Sequence, residues 1–161
     1  MAGRVVIPIH NERGELVAYA GRSIDGSEPR YRVAAGFHKS ALLFNLHRAV
    51  EGDAERSVVV VEGFFDCLKV TQAGFPCVAL MGCSLSAEQK ELLARHFRAV
   101  RLMLDGDEAG RSAISELLPR LARRLYVRVV EMAEGKQPDQ LSTEELFLCS
   151  KNRSPGLGRP V

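Results

Sequence analysis

The 161-residue chain is long enough for one buried core and too short for two ordinary domains with a linker between them. Hydrophobic residues make up 46% of it and the 22 basic side chains exceed the 20 acidic ones by only two, which excludes a disordered chain and a highly basic nucleic-acid-wrapping protein. Its apolar runs, such as 57–61 and 78–81, fall far short of the ~18 residues a membrane helix needs, and no basic segment leads into a signal core, so a cytoplasmic protein is expected.

In chain order, Arg4 to His10 is a β-rich run, Asn11-Glu12-Arg13-Gly14 has turn chemistry and Leu16 to Ala20 is a second apolar run, which together predict a β-hairpin. Pro8 places the first strand at a sheet edge, because it lacks a ladder donor. From Gly21 to Gly36 the Gly, Ser, Asp, Pro and Arg content predicts a loop, and Leu42, Leu43, Leu46 and Val50 predict a helix over 40–50. Residues 1–55 are thus expected to form a small α+β lobe, ending in the acidic link Glu51 to Glu55.

Ser57 to Val61 is an unbroken β-branched run, the pattern of a strand buried on both faces. Helix and strand patterns then alternate. Helices are predicted over 64–73, 86–97 and 108–125, and strands over 76–80, 100–104 and 126–131. Ser86 with Gln89 fits a capping box, while Pro119 should kink or split the third helix. This βαβαβαβ order predicts an α/β unit over 56–149, a parallel sheet flanked by helices with ligands at the carboxyl ends of the strands. The Gly, Pro, Ser and Arg content of 150–161 predicts an unstructured tail.

Charge is distributed unevenly, with net +3 over residues 1–50, −4 over 51–110 and +3 over 111–161. Acids between basic flanks suit a cation site beside a polyanion, and solvated helix faces give the same tally. Cys67, Cys77, Cys83, Cys149, His10, His38, His47 and His96 have no zinc-ligand spacing and read as packing or surface residues. Glu62 follows the valine strand directly, with Asp66 one helical turn beyond, and Asp105-Gly106-Asp107 closes the strand ending at Leu104. Carboxylates gathered at one sheet edge repel unless a hard divalent cation such as Mg2+ neutralises them, and that ion typically bridges carboxylates to phosphates. Asp107 also fits the N-cap of the helix starting at Glu108.

The segment Val59-Val60-Val61-Glu62-Gly63-Phe64-Phe65-Asp66, followed by Leu104-Asp105-Gly106-Asp107-Glu108-Ala109-Gly110-Arg111, resembles the toprim domain shared by bacterial primases, topoisomerases and certain nucleases. Within that superfamily it is most similar to the catalytic core of bacterial replicative DNA primases. Gly3 to Ile9, Gly14 to Arg22, Phe37-His38-Lys39 and Gly135-Lys136-Gln137-Pro138-Asp139 each resemble segments of that core, and the likeness runs from Gly3 to Leu146. It implies a toprim fold with a primase-like N-terminal lobe, and a DNA-directed RNA polymerase, a nucleotidyltransferase of DNA replication. RNA primers would be made on single-stranded DNA from ribonucleotide triphosphates.

By position, the resemblance makes Glu62, Asp105 and Asp107 catalytic and places Mg2+ or Mn2+ on Glu62, Asp66, Asp105, Asp107 and Asp139. It assigns Arg22 and Lys39 to phosphates or template, although each also reads as a solvated charge. Gln137 stands where the primase turn has an acid, which removes one expected ligand. The primase's zinc module and helicase-binding region have no counterpart, so a core fragment or minimal homologue is expected, with a helicase or zinc-module protein supplied in trans. Two alternatives stay open: a toprim-type metal-dependent nuclease, and a non-catalytic nucleic-acid-binding homologue. Arg120, Arg123 and Arg124 suit an ordinary solvated helix face, whereas Arg30-Tyr31-Arg32 is suited equally to base stacking.

Overall fold

The computed structural model describes residues 3–52 and 55–151. Alternation in the first apolar run produces an edge strand, β1 (Arg4–His10), that turns Ile7 and Ile9 inward and leaves Val6 and Pro8 exposed. It pairs antiparallel with β2 (Leu16–Ser23). In the turn between them Asn11 Oδ1 accepts from the Arg13 and Glu15 amides, at 2.9 and 3.1 Å. The stretch expected to be loop from Gly21 to Gly36 instead continues β2 to Ser23 and returns as a third strand, β3 (Tyr31–Val33), with Arg22 opposite Tyr31.

The helix expected over 40–50 is also corrected. A 3₁₀ turn (Lys39–Ala41) and a short helix, α1 (Leu46–Glu51), flank an extended residue, Phe44, whose backbone exchanges two hydrogen bonds with Ala79. Asn45, at φ 67°, then redirects the chain into α1. Helical spacing of leucines was satisfied by a tertiary bridge rather than by continuous helix.

The second unit alternates as its pattern predicts: β4 (Ser57–Val61), α2 (Phe64–Gln72), β5 (Cys77–Ala79), α3 (Ala87–His96), β6 (Ala99–Leu102), α4 (Glu108–Leu121) and β7 (Tyr126–Val129). The strands form one parallel sheet in the order β5-β4-β6-β7. All five β4 residues are buried. Val58 and Val60 join the core beneath α1, α3 and α4, while Val59 and Val61 pack with α2 and with Ile7, Ile9, Ala18 and Ala20 of the N-terminal sheet. Burying each valine contributes about 1.5 kcal/mol or more.

Ser86 forms the expected capping box with Gln89. Pro119 does not split α4, which runs on to Leu121: the proline forgoes its own backbone bond, and the Ala122 and Leu125 amides beyond it still bond to the Leu118 and Leu121 carbonyls. After β7 come a 3₁₀ turn (Pro138–Gln140) and a helix that the sequence pattern did not reveal, α5 (Thr143–Lys151). Ser150 and Lys151 therefore belong to a helix rather than to the expected tail, and 152–161 lie outside the described residues. Among the described residues no helix is long and apolar enough to cross a membrane.

Candidate active site

The sheet order decides where chemistry can gather. After β4 the chain goes to β5 on one side, then crosses back to β6 on the other, so the turns leaving β4 and β6 part and open a crevice at their carboxyl ends. Glu62 and Asp105 flank it, and the Asp105 amide donates to Glu62 Oε1 at 3.2 Å. Gly106 and Gly110 bring backbone close around this turn. A Cβ on Gly106 would overlap the Ala133 carbonyl oxygen, and one on Gly110 the carbonyl oxygen of Asp105.

A cleft of about 280 Å³ lies between this edge and the N-terminal sheet, and Glu62, Asp66, Asp105 and Asp139 all line it. One oxygen of each of three carboxylates is tied to a protein donor. Glu62 takes the Asp105 amide, Asp66 Oδ1 takes the Asp139 amide at 3.0 Å, and Asp105 Oδ2 takes the Gln137 side-chain amide at 2.6 Å. Asp105 Oδ1 and Asp139 Oδ1 are buried with no hydrogen-bond partner. Burial, above all, pushes Asp66 up to about 6 and also raises Glu62 and Asp105, with the neighbouring carboxylates adding to the rise. The cleft is thus short of positive charge on its floor, a condition that an all-oxygen site relieves by taking up a hard cation.

Asp107 stands apart from the lining residues. Its Oδ1 caps α4 by accepting from the Gly110 amide at 2.7 Å, while its charge still raises Glu62 and Asp105. Among the described residues no three of these side chains close into a ready-made ligand cage.

The opposite wall is cationic and aromatic. The Arg22 guanidinium lies 4.4 Å from the Phe65 ring centre and donates to the Tyr31 hydroxyl at 2.9 Å. Arg30, also lining the cleft, stands 6.0 Å from the Tyr31 ring centre. Lys39 does not line the cleft; its Nζ donates to the Met81 carbonyl at 3.3 Å on the loop after β5 that borders it. Arg120 and Arg124 are engaged with Glu116 and Glu91, as a solvated helix face would be. Sequence reading did not foresee Phe65 as the stacking partner of Arg22, nor the direct bond from Gln137 to Asp105. Position in a Gly-x-x-Pro-Asp turn was the only available signal for the latter.

A family model for the DNA primase catalytic core, N-terminal domain, matches residues 1–50, and a Toprim-like model matches residues 59–142. The DNA primase of Deinococcus radiodurans is 36% identical over 143 residues, which cover 84% of this chain and 25% of that protein. The structure of the Aquifex aeolicus primase, zinc binding and RNA polymerase domains, superposes with a TM-score of 0.81 at 34% identity, covering 91% of this chain and 39% of that one. A DnaG primase catalytic domain bound to ssDNA gives 0.80 at 30% identity, covering 92% and 51%. The chain spans about a quarter of the length of the curated relatives it matches.

Proposed function

Because the chain belongs to the toprim-like family and is homologous to the catalytic core of bacterial DNA primases, we propose that it acts in DNA replication as a metal-dependent nucleotidyltransferase joining ribonucleotides on single-stranded DNA. The observation that carries this reading is the group of four carboxylates on one cleft, two of them with a buried oxygen that lacks a partner. Residues 1–55 would serve as the primase-like lobe and 56–149 as the toprim unit.

Glu62, Asp66, Asp105, Asp107 and Asp139 would hold Mg2+ or Mn2+, since every donor is an oxygen. Bound there, the cation would offset the carboxylates' repulsion and the charge on the transferring phosphoryl group. Glu62 would serve either as a ligand or as a general base, and with no cation on it burial makes it more basic than an exposed glutamate. As the base, it would take the proton of the primer 3′ hydroxyl as that oxygen attacks the α-phosphorus and pyrophosphate leaves. Arg22, held over the Phe65 ring, would face the triphosphate, Lys39 would add charge at the rim, and Tyr31 would stack a base. A helicase or a zinc-module protein in trans, and a cytoplasmic setting, complete this reading.

Incubation with single-stranded DNA, labelled ribonucleotides and Mg2+ or Mn2+ should yield labelled oligonucleotides. Glu62→Gln should lower the yield at least ~100-fold while the melting temperature holds. Cutting of the template instead would establish a nuclease. DNA binding without turnover, changed no more than a few-fold by Asp105→Asn, would establish a non-catalytic binding protein.

A further inference from the structure

Gln137 enters the turn Pro138–Gln140, and its Nε2 donates to Asp105 Oδ2 at 2.6 Å, short for an N–H···O bond whose usual length is ~2.9 Å. The other oxygen of the same carboxylate, Oδ1, is buried and has no partner. A carboxylate gripped at one oxygen cannot turn freely about its last torsion, so the amide decides where Oδ1 lies. The turn does not need that bond for its own shape. The Gln137 backbone amide donates to Gln140 Oε1 at 3.0 Å, and the Asp139 amide anchors to Asp66.

An amide is also a particular choice of holder. A lysine or arginine here would neutralise Asp105 and compete with a cation, whereas another acid would repel it. The Gln137 amide donates to Asp105 and leaves its negative charge in place. Resting on the metal-site reading above, we propose that Gln137 is a positioning residue for the cation, holding Asp105 so that Oδ1 is the oxygen offered as a ligand. Groups that orient ligands in this way typically change metal affinity 10–100-fold when removed.

The test is Mn2+ titration followed by electron paramagnetic resonance, without nucleotide or DNA, on the whole chain. Gln137→Ala should weaken Mn2+ binding about tenfold, with the metal-free melting temperature within about 2 °C of the parent. Gln137→Met, which keeps the side-chain length and drops the donor, should do the same and replaces alanine if the turn is disturbed. Gln140→Ala removes the acceptor of the Gln137 backbone amide, keeps the turn's backbone bonds and spares the Gln137 side-chain amide, so its affinity should stay within about twofold. Unchanged affinity in both Gln137 variants overturns the proposal, as does an equal loss in Gln140→Ala. If the parent chain binds no Mn2+ at all, the metal-dependent reading of the cleft falls with it; parent binding that Gln137 does not affect leaves that reading standing.

Discussion

At Asp107 two roles share one carboxylate, and substitution separates them. Oδ1 accepts from the Gly110 amide and so satisfies one of the free donors that begin α4. Asparagine caps a helix as well as aspartate does, whereas alanine caps poorly. Asp107→Asn should therefore unfold within about 0.5 kcal/mol of the parent, and Asp107→Ala about 1 kcal/mol below it, in urea titrations. Both should lose Mn2+ affinity, because both remove the charge that acts on Glu62 and Asp105. An Asn variant with parental metal affinity would reduce Asp107 to a cap alone. The same residue was legible both as an acid at a strand end and as the N-cap of the helix starting at Glu108; that it does not line the cleft depends on the closeness of Gly110 to the Asp105 backbone, which needs the folded turn.

Among the elements, legibility followed how much of the pattern is local. β4 is legible because four successive valines suit a strand covered on both sides, and α3 because Ser86 and Gln89 form a self-contained cap. β3 escaped notice because three residues after Pro29 carry no periodicity, and its pairing to Arg22 and Ala20 comes entirely from β2. The apparent helix over 40–50 yielded to the bridge between Phe44 and Ala79, a partner 35 residues away. Gln89 shows how such long-range ties are secured. It is 2% exposed, and its side-chain amide reaches the carbonyls of Lys39, Leu42 and Leu80 at 3.2, 2.8 and 3.1 Å. Gln89→Leu should cost roughly 2–3 kcal/mol in urea unfolding, since buried acceptors lose their donor and the Ser86 amide loses its acceptor, Gln89 Oε1, while the Ser86 hydroxyl still caps α3. A cost under ~0.5 kcal/mol would mean that water replaces those bonds.

Across the whole molecule, Glu12 in the β1–β2 turn reaches His96 and Arg95 at the end of α3, at 3.1 and 3.3 Å, and ties the two sheets' units together. The hydrogen bond from His96, chiefly, holds the Glu12 carboxyl below its ordinary value of 4.5. A carboxyl lowered on folding stabilises the folded chain above its unfolded value, and that contribution is lost as pH falls through the lowered one. Glu12 is partly exposed, so the effect is at most about 0.5 kcal/mol. The melting temperature of Glu12→Gln should lie at most about 1–2 °C below the parent at pH 7, the shift that such an energy gives in a chain of this length. The gap should narrow steadily once the pH drops beneath 4.5. A gap independent of pH would assign the contact to packing.

The strand order β5-β4-β6-β7 carries one more consequence, for synthesis. The valine strand β4 can pair with β5 early, but its other edge waits for β6, which ends some forty residues later at Leu102. At ~5–20 residues per second, a ribosome takes about 2–8 s to deliver that stretch. For those seconds a short, uncharged, β-branched strand stands with an open edge, the kind of segment that recruits like strands from other chains. The central position that places Glu62 beside Asp105 is therefore also what exposes the nascent chain to misassembly.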